Sequence, residues 1–190
     1  MNKPQGYDEA QAFGEIEILP AGGYKCLIKE IENAKTKNGK EYLKIVFDIA
    51  EGEYKNYYEK KFKNDTRNSN EKKWSGVWTV FIEGYEPKTT SSKFKGLITS
   101  IEKSNSGFKF DWNEQTLINK KIGLVFREEE FKGQDGKIHT GVKPFYAIEY
   151  DKTEEVKIPS KKELSDDERE KIEDNYFSTD SYDNSDDLPF

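Results

Sequence analysis

One cysteine and one histidine in 190 residues rule out several chemistries at once. A lone thiol forms no intramolecular disulfide. Cys26 and His139 together are too few for a Cys/His metal cluster. Cys26 sits in an alternating apolar run and reads as a small core hydrophobe. His139 falls in a hairpin tip and reads as a surface residue, so a Cys26–His139 nucleophile pair would be an accident of folding. No G-x-x-x-x-G-K-[ST] run exists to cradle ATP phosphates, and no cofactor is expected. No apolar stretch nears the length that crosses a bilayer and no signal segment is visible, so the expectation is a reducing, cytoplasmic protein. Apolar residues are themselves scarce, at 33% against 36% charged. Either the fold is small or part of the chain does not fold.

The charge is unevenly placed. The net charge is −6, yet residues 163–190 carry two basic and eleven acidic side chains, leaving 29 basic against 26 acidic in residues 1–162. The acidity belongs to the tail, and the body tolerates an anionic partner. The organisation expected is a flexible N-terminus at 1–15, a folded domain at 16–152, and a disordered acidic tail at 153–190 that cannot offset its ordering entropy.

Within the body, period-two alternation predicts strands. Tyr24, Cys26 and Ile28 alternate with Lys25, Leu27 and Lys29, and Leu43, Ile45, Phe47 and Ile49 alternate with Tyr42, Lys44, Val46 and Asp48. Asn38-Gly39 between them suits a hairpin turn. Residues 53–76 are basic, aromatic and weakly periodic, and read as an irregular excursion. "VWTVFIEGY" predicts a third strand with Trp78, Val80 and Ile82 on one face. "SSKFKGLITSIEKS" predicts a short helix capped by Ser91 or Ser92, with Phe94, Leu97, Ile98 and Ile101 as its apolar stripe and Gly107 past its end. "KKIGLVFREEEF" and "VKPFYAIEY" predict strands four and five around an Asp135-Gly136 tip. Five strands with one helix between the third and fourth match a mainly β, five-stranded OB-fold-like Greek-key barrel, with a small open α+β sandwich as the alternative.

Basic residues interleaved with aromatics point to single-stranded nucleic acid, whose bases stack on rings while cations track the phosphates. The first hairpin offers Lys35, Lys37, Lys40, Tyr42 and Lys44, with Tyr42 and Lys44 opposite the core row. The 53–76 excursion offers Tyr57, Tyr58, Lys60, Lys61, Lys63, Arg67, Lys73 and Trp74. Trp74 is the expected stacking platform, while Trp78 and Phe62 serve equally well as core. The second hairpin offers Arg127, Phe131, Lys137 and Lys143. A rival reading is enzymatic: Asp48 followed by Glu59-x-Lys61 resembles a nuclease set that holds Mg²⁺ and orients a water. A third is a protein-only adaptor acting through the acidic tail.

The tail ends in "DDLPF", with Asp186 and Asp187 preceding Leu188, Pro189 and Phe190. Such a tip suits insertion of an apolar end into a partner's pocket with the carboxylates pairing outside it. It resembles the acidic Asp-Asp-Ile-Pro-Phe tip of bacterial single-stranded DNA-binding proteins. The stretch "LPAGGYKCLIKEIENAKTKNGKEYLKIVFDI" is similar to the opening of phage single-stranded DNA-binding proteins, particularly those of phages infecting Gram-positive hosts. The resemblance implies an OB-fold, sequence-tolerant binding of single-stranded DNA, and recruitment of replication, recombination or repair proteins through the tip. On the reading as a whole, no catalysis is expected and a homo-oligomer is allowed. Residues 53–76 and the helix region are longer than in the bacterial housekeeping protein.

Overall fold

A computed structural model of the protein describes residues 3, 4, 7, 18–86, 89–133 and 135–169. The N-terminus expected to be flexible, 1–15, lies almost wholly outside the described residues, and so do Asp186, Asp187, Leu188, Pro189 and Phe190.

The alternating runs form strands as their periodicity requires. In chain order the elements are β1 (Gly22–Lys35), β2 (Glu41–Ile49), α1 (Tyr57–Asn64), β3 (Val77–Phe81), α2 (Ser92–Ser104), β4 (Lys121–Lys132) and β5 (Ile138–Ile148), with 3₁₀ turns at Glu114–Leu117 and Tyr150–Glu155. All five strands join one antiparallel sheet in the order β3-β2-β1-β4-β5. The architecture is therefore mainly β, with a few helices. The sheet is open: no pairing among the described residues joins β3 to β5. Helix α2 packs against β3, β4 and β5.

β1 makes the order possible by changing partners. Gly22–Leu27 pair with β4, while Cys26–Lys35 pair with β2, and the register slips between Ile28 and Glu30. This bulge lets Ile28 and Ile31 both face the core, where strict alternation would turn one outward. The core gathers Cys26, Ile28, Ile45, Phe47, Val80, Leu97, Ile101, Leu117, Leu124 and Phe126. Each fully buried large apolar side chain there stabilises the fold by about 1.5–3 kcal/mol. Burial also pushes the Cys26 thiol well above its ordinary pKa, as befits an inert core residue.

Two sequence expectations need correcting. The 53–76 excursion contains a helix, α1, in a stretch whose sequence reads as partly extended and partly irregular. Parts of 153–169, a stretch that composition assigns to the disordered tail, contact the sheet. The 150–155 turn packs on β1 and β4, burying Tyr150 and Thr153. Gly23 is required there, since a Cβ at that position would sit 2.1 Å from the Thr153 carbonyl oxygen. Farther on, Lys162 forms a parallel bridge with Glu129. The Glu130 N–H donates to the Lys162 carbonyl at 2.9 Å, and the Lys162 N–H donates to that of Glu128 at 2.9 Å. Composition misses this because backbone pairing needs no apolar side chains. Among the described residues no helix is long and apolar enough to cross a membrane.

Candidate nucleic-acid interface

The turn between β1 and β2 is closed by the Thr36 N–H donating to the Lys40 carbonyl at 2.9 Å and the Gly39 N–H to the Thr36 carbonyl at 2.9 Å. Gly39 takes φ 79°, the left-handed backbone that the Asn-Gly signal anticipates. Beyond the turn, register decides which side chains share the solvent face. Ala34, Tyr42 and Phe81 form one cross-strand row, and Glu32, Lys44 and Thr79 the next. The Tyr42 and Phe81 rings lie 5.8 Å apart at 57°, and Phe81 is 43% exposed. Two rings thus form a small aromatic floor at the hairpin end of the sheet. Lys37 and Lys40 in the turn are exposed and without an ion-pair partner among the described residues. Lys35 and Lys44 are partly neutralised, by Glu41 at 2.8 Å and Glu32 at 3.7 Å. Tyr85, fully exposed, lies in the loop that follows β3 at this same end.

The β4–β5 hairpin turns at Gly136, with φ 77°. Phe131, opposite His139 in register, carries Lys143 Nζ 5.0 Å above its ring. His139 meets Asp135 at 2.9 Å, and this hydrogen bond holds the Asp135 carboxyl below its usual range. Lys137 and Lys143 are exposed. Arg127 is differently engaged: it pairs with Glu129 at 2.9 Å and lies 3.7 Å from the Phe145 ring centre, with Lys93 at 4.7 Å from the same ring. Its guanidinium serves packing before it could serve a phosphate.

The α1 segment departs most from its sequence reading. Tyr57 and Tyr58 are 8% and 6% exposed, so neither ring is available to stack a base. The Trp74 indole N–H donates to the Phe47 carbonyl at 3.1 Å and the ring packs near Phe62 at 5.9 Å, which ties the expected platform to the core. Arg67 is held by Asp65 at 2.6 Å, Lys63 pairs with Glu59 at 2.6 Å, and Lys61 lies 5.9 Å from the Tyr57 ring. Lys60 and Lys73 remain exposed.

The residues of the enzymatic reading make internal contacts. Asp48 is buried, and its carboxylate accepts the N–H groups of Ile49 at 2.8 Å, Tyr58 at 3.0 Å and Glu59 at 3.1 Å. It caps the start of α1 from another element, which is why a helix forms where the local pattern is weak. The Glu59 carboxylate is spent on Lys63, and no group of three metal-ligating side chains occurs among the described residues.

Sequence reasoning missed Phe81, although its signal was present: placing Trp78 and Val80 inward puts Phe81 outward beside Tyr42. It also missed Trp112, which is 79% exposed. The model of a family described as "Protein of unknown function (DUF669)" matches residues 5–143, a stretch spanning β1 to the middle of β5. No curated protein matches the chain.

Proposed function

The chain belongs to the DUF669 family, whose description names no activity, and from its surface we propose that it binds single strands of nucleic acid, DNA first, without catalysis. The observation that carries the reading is the Tyr42–Phe81 pair on the solvent face of β2 and β3, flanked by the exposed ammonium groups of Lys37 and Lys40. Rings supply a sequence-tolerant stacking surface, because every base has a π-face. The lysines supply phosphate neutralisation with release of counterions.

The strand order supports this location. The order β3-β2-β1-β4-β5, with α2 between β3 and β4, is compatible with an OB-fold opened between β3 and β5 and supports reading the sheet in those terms. That fold is a partly open barrel that binds oligonucleotides on its second and third strands and on its 1–2 and 4–5 loops. Here those parts are the Tyr42, Lys44, Thr79 and Phe81 face, the 36–40 turn, and the hairpin tip bearing Lys137, with Phe131 and Lys143 on its arms. The segment Asp186–Phe190, outside the described residues, serves in this reading as a docking element for proteins of replication, recombination or repair, in keeping with its resemblance.

A labelled oligo-dT titrated by fluorescence anisotropy at several salt concentrations tests the reading. With about four phosphate contacts, log K should fall with log salt at a slope near −3. Duplex DNA should compete poorly. Salt-independent affinity, or a preference for duplex, would overturn it.

A further inference from the structure

Resting on the single-strand reading, we propose that Trp112 is a second base-stacking platform, which continues the strand's path past the β1–β2 hairpin. Between α2 and β4 the chain runs along the edge of β1 that β4 leaves uncovered. The Ile28 N–H donates to the Lys120 carbonyl at 3.1 Å, the Asn119 N–H donates to the Ile28 carbonyl at 2.9 Å, and Gln115 Nε2 donates to the Ile31 carbonyl at 3.4 Å. Gln115 is thus anchored four residues before Lys35, roughly 13 Å along a strand. Trp112 stands three residues from that anchor.

The loop presents this indole on a rigid mount. Trp112 is 79% exposed and has φ 66°, a left-handed conformation in which a bulky residue is a strained outlier. Neighbouring side chains fix the conformation. Asp111 Oδ1 accepts from the Asn113 N–H at 3.2 Å and from Thr116 Oγ1 at 3.1 Å, and Asn113 Oδ1 accepts from the Gln115 N–H at 3.1 Å. Phe110 backs the indole with ring centres 5.5 Å apart.

The chemistry around the ring favours a base as the occupant. Two of the local acids are turned to internal bonds: Asp111 builds the turn, and Glu102 accepts from the Phe110 N–H at 3.1 Å and from Lys109 at 3.1 Å. Lys120 lies 4.3 Å from the Phe108 ring, so a cation borders the Phe108 end of the Phe108–Phe110–Trp112 run. A protein hot spot sits in a well-packed pocket within a ring of contacts that keeps water out. A base needs one ring face and nearby cations. The other two tryptophans are buried or tied down, Trp78 in the core and Trp74 on the Phe47 carbonyl.

The experiment uses the full chain and an oligo-dT of about 20 nucleotides, long enough for more than one stacking site. Anisotropy reads affinity, while tryptophan emission and its quenching by acrylamide read the indole. Saturating oligonucleotide should quench wild-type emission and shield it from acrylamide. Trp112→Asn removes the ring and suits the left-handed backbone; it should bind about ten-fold more weakly and lose the quench, with an unchanged or higher melting temperature. Trp112→Phe should recover most of the affinity. If the oligonucleotide binds and yet leaves wild-type emission and shielding unchanged, the proposal fails whatever the variants do, and Trp112 faces a protein or nothing. Equal affinity of W112N and wild type also sinks it. Failure of the wild type to bind at all would instead remove the single-strand reading itself.

Discussion

The carboxylate of Asp48 receives three backbone N–H groups, while burial pushes its pKa above the ordinary carboxylate range. Burial favours the neutral acid, the N–H groups favour the anion, and burial prevails. A folded pKa above the unfolded value of about 3.9 means that stability falls as pH rises between the two. Asp48→Ala should cost about 2–3 kcal/mol, because buried N–H groups lose their acceptor and α1 loses its cap. Asp48→Asn keeps an acceptor oxygen and should cost less, and it should abolish that pH-dependent component; urea unfolding of the three proteins across pH 3–7 checks both. Asp65 shows the opposite sign. Hydrogen bonds from Arg67 hold its pKa down to about 2. Its contribution is present above about pH 4 and is lost as pH falls toward 2. An NMR carboxyl titration should find that low midpoint, and Arg67→Ala should return it toward about 3.9.

Among the elements, β1 governs the fold, since it alone pairs with strands on both halves of the sheet. Its Gly23 admits the 150–155 turn. Gly23→Ala would force a Cβ against the Thr153 backbone and should cost about 2–3 kcal/mol by overpacking, seen as a lowered urea midpoint. The 161–169 segment is fastened by its backbone bridge to β4 and by one side chain. Glu130 pairs with Lys161 at 2.8 Å and with Arg169, and it accepts the Leu164 N–H at 3.2 Å. Glu130→Ala should release this strap, and hydrogen exchange should then lose protection at the Glu130 and Lys162 amides. Unchanged protection there would mean the backbone bridge holds without the clamp.

The strands, their turns and α2 were legible in the sequence because each rests on a local signal: alternation in β1 and β2, Asn38-Gly39 and Asp135-Gly136 at the hairpins, and the Phe94–Leu97–Ile101 stripe. What was illegible depends on partners distant in the chain. α1 needs Asp48 as its cap, the 161–164 segment needs the edge of β4, and the burial of Tyr57 and Tyr58 follows from α1 docking on β2. The candidate site divides the same way. Tyr42 and Lys44 fall on the solvent face by period alone, whereas the tie of the Trp74 indole N–H to the Phe47 carbonyl depends on a partner distant in the chain. At the scale of the whole molecule, the proposed binding surface for single strands is the outer face of β2 and β3 that Tyr42 and Phe81 share. The most direct measurement compares wild type with the Tyr42→Ala/Phe81→Ala double variant in oligo-dT anisotropy at low salt, with circular dichroism as the check on folding. The wild type should bind in a salt-sensitive way, and a folded double variant should lose at least ten-fold in affinity, as the removal of stacking implies. Equal affinity in the two proteins, or no binding by the wild type, would contradict that proposal.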